Sequence, residues 1–352
     1  MKAVLLTGIR KLELREVPDP VLREDSDVLI KVRAVGVCGS DIHYYTSGRI
    51  GNQVIKFPFV IGHECSGTIE KVGKKVRRLK PGDRVALEPA VSCGTCDQCL
   101  NGREHTCRRL LFLGCPDQIP GSLSQYIVLP EKNCYRIGDK TSLEEAVLAE
   151  PLSIGIYAVK LSQVSNISSA AILGAGPIGL SVLCVSISQG IKSIYVTDKI
   201  DDRLCAAKNL GASWIGNPDK VDIVKEVSRL HPQGVDVVFE CCGEQEAINQ
   251  AVNLLKPGGK LMIVGIPTLD LLSFEIHTLR RKEICIQNVR RQNRCLQPAL
   301  DLLEHHDTYS KNLLTHQFPL AEAAKAFELV EGYRDKVVKA IIKLEKKIFS
   351  SS

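Results

Sequence analysis

The sequence predicts an α/β chain in two parts, a β-rich domain of short strands followed by a doubly wound domain built on a parallel sheet. Three observations carry that prediction. Short β-branched runs bounded by glycine turns fill the first third of the chain, strands and helices alternate between residues 170 and 289, and a glycine-rich turn sits where the first of those strands meets its helix.

The opening Met1-Lys2-Ala3-Val4-Leu5-Leu6 enters strand-like sequence directly, and its apolar run is too short for a signal peptide. Residues 28–35, 67–72 and 83–87 read as further strands, the last two joined by a turn at Pro81-Gly82-Asp83. Strands this short and this evenly spaced suggest a barrel-like or sandwich domain. Character changes near Glu150. Residues 170–173 form a strand that leads through a glycine loop into an apolar helix ending near Gln189; 193–198 is a strand and 203–210 a helix; 235–240 and 259–265 are strands. Such βαβ alternation implies a parallel sheet with helices on both faces. Beyond Asn288, amphipathic helices at 297–305 and 320–331 precede a last strand at 339–343, and this ending is expected to rejoin the first part. The domains are therefore placed at 1–152 with 288–352, and at 153–287.

A length of 352 residues fits that division at ~100–200 residues per domain. With 44% hydrophobic and 24% charged residues the chain is an ordinary globular one, which excludes fibrous and disordered classes. The net charge of +6 is dispersed, and its densest run, Lys74-Lys75-Val76-Arg77-Arg78, lacks interleaved aromatics and leads into a turn. It reads as a solvated loop rather than a nucleic-acid surface. No stretch approaches the ~18 apolar residues a membrane span requires. Fourteen cysteines in a large chain without a signal sequence point to reduced thiols and metal ligands in a cytoplasmic protein.

Four of those cysteines, Cys93-x2-Cys96-x2-Cys99-x7-Cys107, have the spacing of a closed tetrahedral zinc site, flanked by Gly94 and Gly102. Four unrelated buried cysteines or a cytosolic disulfide pair are the alternatives, and the spacing disfavours both. A second constellation joins Cys38, in Cys38-Gly39-Ser40-Asp41-Ile42-His43, to Gly62-His63-Glu64. Taken singly, Cys38 reads as a core thiol, His63 as a core histidine and Glu64 as a surface acid. Together they can supply three zinc ligands and leave the fourth position open, as a catalytic zinc requires.

The third motif is Gly174-Ala175-Gly176-Pro177-Ile178-Gly179, between an apolar strand and an apolar helix. There the glycines permit the tight turn and close approach of a pyrophosphate, whose charge the helix N-terminus favours. Asp198 ends the next strand about twenty residues on, completing a Rossmann fingerprint. Its carboxylate suits ribose hydroxyls and repels a 2′-phosphate, which predicts NAD; Lys199 and Arg203 keep NADP open.

In this order the motifs resemble the zinc-containing medium-chain alcohol dehydrogenase family over essentially the whole chain. Gly62-His63-Glu64-x2-Gly67-x5-Gly73-x2-Val76 fits that family's zinc signature. Within the family, Cys38 to Tyr45 with Gly48-Arg49-Ile50, and Glu150-Pro151-Leu152-Ser153-Ile154-Gly155, resemble sorbitol (L-iditol) and related polyol dehydrogenases. The resemblance implies a GroES-like catalytic domain beside the Rossmann domain, two zinc ions per chain, a substrate cleft between domains and a homo-oligomer of two or four chains. It also implies roles: Cys38, His63 and Glu64 as catalytic zinc ligands, Glu150 as the acid that holds the zinc-bound water or visits the metal, Ser40 and His43 as a proton relay, and Tyr44 and Arg290 as substrate contacts. For assembly, the apolar strand at 261–264 and the following 269–274 are expected to pair across a subunit boundary.

One departure bears on substrate. Arg291 stands where sorbitol dehydrogenases usually place tyrosine, with Arg294 nearby. Extra guanidinium groups suit a sugar acid or a phosphorylated polyol, unless Arg291 faces solvent or a subunit contact. The expected reaction is oxidation of a secondary hydroxyl of a polyol to a ketose with NAD. A threonine-dehydrogenase-like amino-alcohol oxidase is the rival enzyme, and the Tyr44-Tyr45 stretch argues against it. A zinc- and nucleotide-binding protein without catalysis is the rival of another class.

Overall fold

In the computed structural model, which describes residues 1–163, 169–267, 269–305 and 307–344, backbone contacts divide the chain into two units. The first holds Met1–Glu150, Leu300–His305 and the chain from Leu314; the second holds Pro151–Ala299 and 307–313.

The first unit is organised around the strand Asp27–Gly36. Its first residues alternate in burial, with Val28, Ile30 and Val32 at most 1% exposed, as a strand with one face on the core requires. Its last three, Ala34, Val35 and Gly36, are buried on both faces. Glu64–Val72 pairs antiparallel along one side and Lys339–Lys343 antiparallel along the other, so Glu64 and Ile341 both lie opposite Gly36. Arg84–Leu87 and Cys134–Arg136 extend the sheet beyond Glu64–Val72, while Leu314–Pro319 runs parallel to Lys339–Lys343 at the other edge. The sheet's apolar side chains join those of the Ala323–Glu331 helix, Phe327 above all, in one core.

The second unit is a six-stranded, wholly parallel sheet. In space its strands run Trp214–Gly216, Ser193–Thr197, Ser169–Leu173, Val235–Glu240, Leu255–Ile263 and Cys285–Asn288. This is the doubly wound order, with the switch point between Ser169–Leu173 and Val235–Glu240. Both of those strands are buried almost throughout, as strands covered on two faces must be.

Two expectations are corrected here. Return to the first unit does not begin at residue 288. The Val289 N–H donates to the Ile263 carbonyl at 2.9 Å and continues the parallel pairing. Later the helix Asp307–Leu313 comes back onto the second unit, where the Tyr309 and Ser181 hydroxyls meet at 2.7 Å. The strand at 261–264 cannot pair with another chain, because Cys285–Asn288 already occupies its outer side. The sheet's edge is Cys285–Asn288 itself, three of whose four residues are exposed.

Candidate functional site

Two groups of side chains come together as metal-binding sets among the described residues. The donor atoms of Cys93, Cys96, Cys99 and Cys107 all lie within 4.8 Å of one another. Individual sulfur pairs stand at 3.6, 3.8 and 3.9 Å. Zinc–sulfur bonds of ~2.3 Å at the tetrahedral angle place sulfurs about 3.8 Å apart, so the cage fits zinc. Peptide N–H groups turn inward to meet it: Cys93 N–H donates to the Cys107 sulfur at 3.3 Å and Arg109 N–H at 3.4 Å. Hydrogen bonding from the Thr95 backbone is the main force holding the Cys93 thiol down to about 5, which favours the thiolate a metal needs.

The second set is Cys38, His63 and Glu64, again with donor atoms within 4.8 Å. Cys38 precedes the helix Gly39–Ser47, and His63 and Glu64 stand where the strand Glu64–Val72 begins. Asp41 ties these pieces together. Its carboxylate is 1% exposed, accepts from Cys38 N–H and from Gly62 N–H at 3.2 Å each, and lies 3.4 Å from His63 Nδ1. Burial pushes the His63 imidazole down, but the Asp41 and Cys38 charges overcome it and hold it well above its ordinary value. With Nδ1 facing Asp41, Nε2 is left as the ligating nitrogen. Phe112 packs on the same ring at 5.3 Å between centroids.

Glu150 is not in that set. It starts the helix Ala149–Ser162, is 6% exposed, and its charge acts on Lys339 and Cys65. A carboxylate on that helix stands beside the donors rather than among them. Ser40 and His43 share one helix a turn apart: Ser40 donates to the Cys38 sulfur at 3.3 Å, and His43 is half-buried, with burial lowering its pKa. Tyr44 is 5% exposed and donates to Gln53 at 3.4 Å, with Cys115 Sγ at 3.7 Å. Arg290 is an exposed residue of the second unit, just past its edge strand; Arg291 is half-buried there and Arg294 exposed.

In the second unit the glycine loop ends the strand Ser169–Leu173 and opens the helix Pro177–Ser188. Gly176 caps that helix without a side chain, leaving its first N–H groups open to an anion, and Ile178 follows Pro177 in the first turn. Gly174 adopts φ +101°, a left-handed conformation. Packing demands Gly179, since a Cβ there would lie 1.8 Å from the Gly174 carbonyl oxygen. Asp198 accepts from Ala175 N–H at 2.7 Å and Ile200 N–H at 2.8 Å, which fixes it beside the loop with lone pairs to spare. Arg203 reaches the loop as well, its Nη1 3.6 Å from a Cβ built on Gly176, whereas the exposed Lys199 lies 3.9 Å from Glu246.

Three residues matter more than their place in the sequence announces. Asp41 is inside a quoted motif but has no role there. Glu240, fully buried at a strand end, accepts from Cys242 N–H at 2.8 Å and Gly243 N–H at 2.5 Å and so shapes the turn beside the glycine loop. Lys339 is 1% exposed and forms an ion pair with Glu64, itself 1% exposed. Its only signal is a charged residue inside the apolar run Val337-Val338-Lys339-Ala340-Ile341-Ile342.

Residues 24–139 match the alcohol dehydrogenase GroES-like domain family, and 177–305 the zinc-binding dehydrogenase family. The chain is 38% identical to a sorbitol dehydrogenase of Bacillus subtilis, with 97% of each chain covered. It is 36% identical to an L-idonate 5-dehydrogenase of Vitis vinifera, covering 93% of this chain and 90% of that one. Among solved structures it is similar to an alcohol dehydrogenase of Escherichia coli CFT073 complexed with NADH, at a TM-score of 0.87 and 30% identity, covering 98% of this chain and 99% of that one.

Proposed function

The chain belongs to the zinc-containing medium-chain alcohol dehydrogenase family, and we propose that within it the protein is a polyol dehydrogenase. It oxidises a secondary hydroxyl of a small polyhydroxylated substrate to a ketone, with NAD as acceptor. The convergence of Cys38, His63 and Glu64 on one point carries this reading. Their mixed thiolate, imidazole and carboxylate donors suit a zinc with a position left for substrate. Bound there, zinc supplies Lewis acidity to the substrate hydroxyl, and the nicotinamide accepts the hydride.

The chain's own residues do the rest. Asp41 orients His63, and Ser40 holds its hydroxyl beside the Cys38 sulfur, where it can receive the alcohol proton. His43, one helical turn on, is kept neutral by burial and accepts that proton toward solvent. Glu150, buried beside the donors, is placed to hold water or substrate by hydrogen bonds. Tyr44 and Arg290 are assigned to substrate hydroxyls. Cys93, Cys96, Cys99 and Cys107 hold a second, closed zinc that fixes their loop.

A second reading, that the substrate is a sugar acid, is favoured by half-buried Arg291 and by the similarity to an L-idonate dehydrogenase. Turnover of sorbitol and xylitol beside aldonates and polyol phosphates separates the two. Neutral polyols are expected to lead in kcat/KM by about tenfold or more. The reverse order, abolished in Arg291→Tyr, would transfer the assignment to anionic substrates.

NAD is preferred through Asp198. Asp198→Ala is expected to lower kcat/KM with NAD by roughly tenfold to a hundredfold, the worth of hydrogen bonds to a charged acceptor, while NADP gains from Lys199 and Arg203. Unchanged preference would remove Asp198 from cofactor choice.

The open edge at Cys285–Asn288, with Ile266, Leu269, Leu271 and Ile276 exposed in the chain segment that precedes it, supports a homo-oligomer joined there. No helix among the described residues is long and apolar enough to cross a membrane. None of the fourteen cysteines is joined in a disulfide, which supports a reducing, cytoplasmic setting.

A further inference from the structure

We propose that Lys339 is a positioning residue for the open metal site, holding one oxygen of Glu64 and so setting how tightly that carboxylate grips the metal. This rests on the assignment of zinc to Cys38, His63 and Glu64.

The geometry begins at Gly36. On the central strand it lies between Glu64 on one neighbour and the Lys339–Lys343 strand on the other. A Cβ on Gly36 would stand 2.3 Å from Glu64 Oε2 and 3.1 Å from Lys339 Cε. The missing side chain is thus the gap through which the lysine reaches the glutamate. Both partners are 1% exposed, so water does not compete for either charge. The ammonium meets Glu64 Oε2, while Glu64 also belongs to the metal-binding set. One carboxylate therefore serves two cations.

Charge balance gives the pairing a purpose. Lys339 lies in the field of Glu64, Cys38 and Glu150. Without the metal, Lys339 is the cation that keeps buried Glu64 paired, and an unpaired buried carboxylate is strongly destabilising. With the metal present, the same ammonium withdraws charge from the carboxylate and weakens its hold. Lys339 should therefore support the empty site and loosen the filled one. A lysine that merely filled space would do neither.

The test uses the full-length protein in zinc-loaded and chelator-stripped forms. In Lys339→Met, zinc of the open site is expected to pass to a colorimetric chelator at least about tenfold more slowly than in wild type, a shift of ~1.4 kcal/mol. The stripped Lys339→Met protein should lose more thermal stability than the loaded one. In a Glu64→Gln background the effect should reverse, Lys339→Met then stabilising the stripped protein by removing a buried cation that has lost its ion-pair partner. Faster zinc release, equal losses in both forms, or no reversal would overturn the proposal. If Lys339→Met folds only with zinc, the pairing is supported; if it does not fold at all, recovery in the double variant supports it and no recovery overturns it. Zinc content separates this from the underlying assignment. A wild type holding one zinc per chain would remove the open site itself, whereas two zincs with no effect of Lys339→Met would remove only the role of the lysine.

Discussion

His63→Ala is expected to abolish turnover, by at least about a thousandfold, while NADH still binds. The imidazole supplies the nitrogen of the open donor set, and Asp41 holds it in one orientation. Removing it leaves Cys38 and Glu64 as the two donors of that set, too few to retain zinc against a chelator. The several kcal/mol of charge stabilisation that a Lewis acid gives the reacting oxygen would go with the metal, and each ~1.4 kcal/mol is a factor of ten in rate. Bound zinc should fall from two ions per chain to one, because the Cys93–Cys107 cage shares no residue with the open site. NADH fluorescence should still titrate, because the glycine loop belongs to the other unit. A variant that keeps both zincs, or that turns over within tenfold of wild type, would remove the proposed mechanism.

Gly179→Ala should have the second-largest effect, through a backbone collision. The added methyl would lie 1.8 Å from the Gly174 oxygen and 2.9 Å from its carbonyl carbon, atoms that no rotamer change can move. Relief requires the helix Pro177–Ser188 to back away from the strand it follows. Overpacking of this kind costs about 3 kcal/mol. That should lower the melting of the second unit by on the order of 5–10 °C, and NADH affinity should fall by roughly a hundredfold. Gly176→Ala is the control for stability alone, since Gly176 belongs to the cofactor loop itself. Its methyl would meet only Arg203 Nη1, at 3.6 Å, an ordinary contact with a flexible side chain. Equal losses of melting temperature in the two variants would show that loop flexibility, not packing against Gly174, is what Gly179 provides.

The sequence made the parts visible wherever function depends on local spacing. The cysteine quartet lies within one loop, the fingerprint spans one strand–turn–helix, and His63 and Glu64 are adjacent, so their motifs could be read without knowing the fold. The strands showed through because their apolar residues keep the period of two that burial on one face, or continuous burial on both, requires. Invisible features depend on register. Lys339 meets Glu64 only because the last strand lies beside Asp27–Gly36 with glycine between them, and no local pattern encodes that alignment. Asp41 was legible as part of a motif but not as a partner of His63, since its contacts depend on where Gly62 is brought. The unit boundary was misplaced for a related reason. The helices read beyond Asn288, at 297–305 and 320–331, do not include Asp307–Leu313, the short helix that packs on the second unit.

The place of the Lys339–Lys343 strand sets an order of assembly for the newborn polypeptide. Asp27–Gly36 pairs on one side with Glu64–Val72 and on the other with Tyr126–Pro130 and, at its Ala34–Gly36 end, with a segment made near the end. The six-stranded sheet needs nothing beyond Asn288 to complete its strands, so it can form while translation continues. The unit translated first is therefore the one finished last. Until Lys339–Lys343 emerges, the Ala34–Gly36 end of the central strand lies open on that side and Glu64 has no ammonium beside it. A chain stopped short of Lys339 should reach quality control as one finished domain attached to one unfinished sheet.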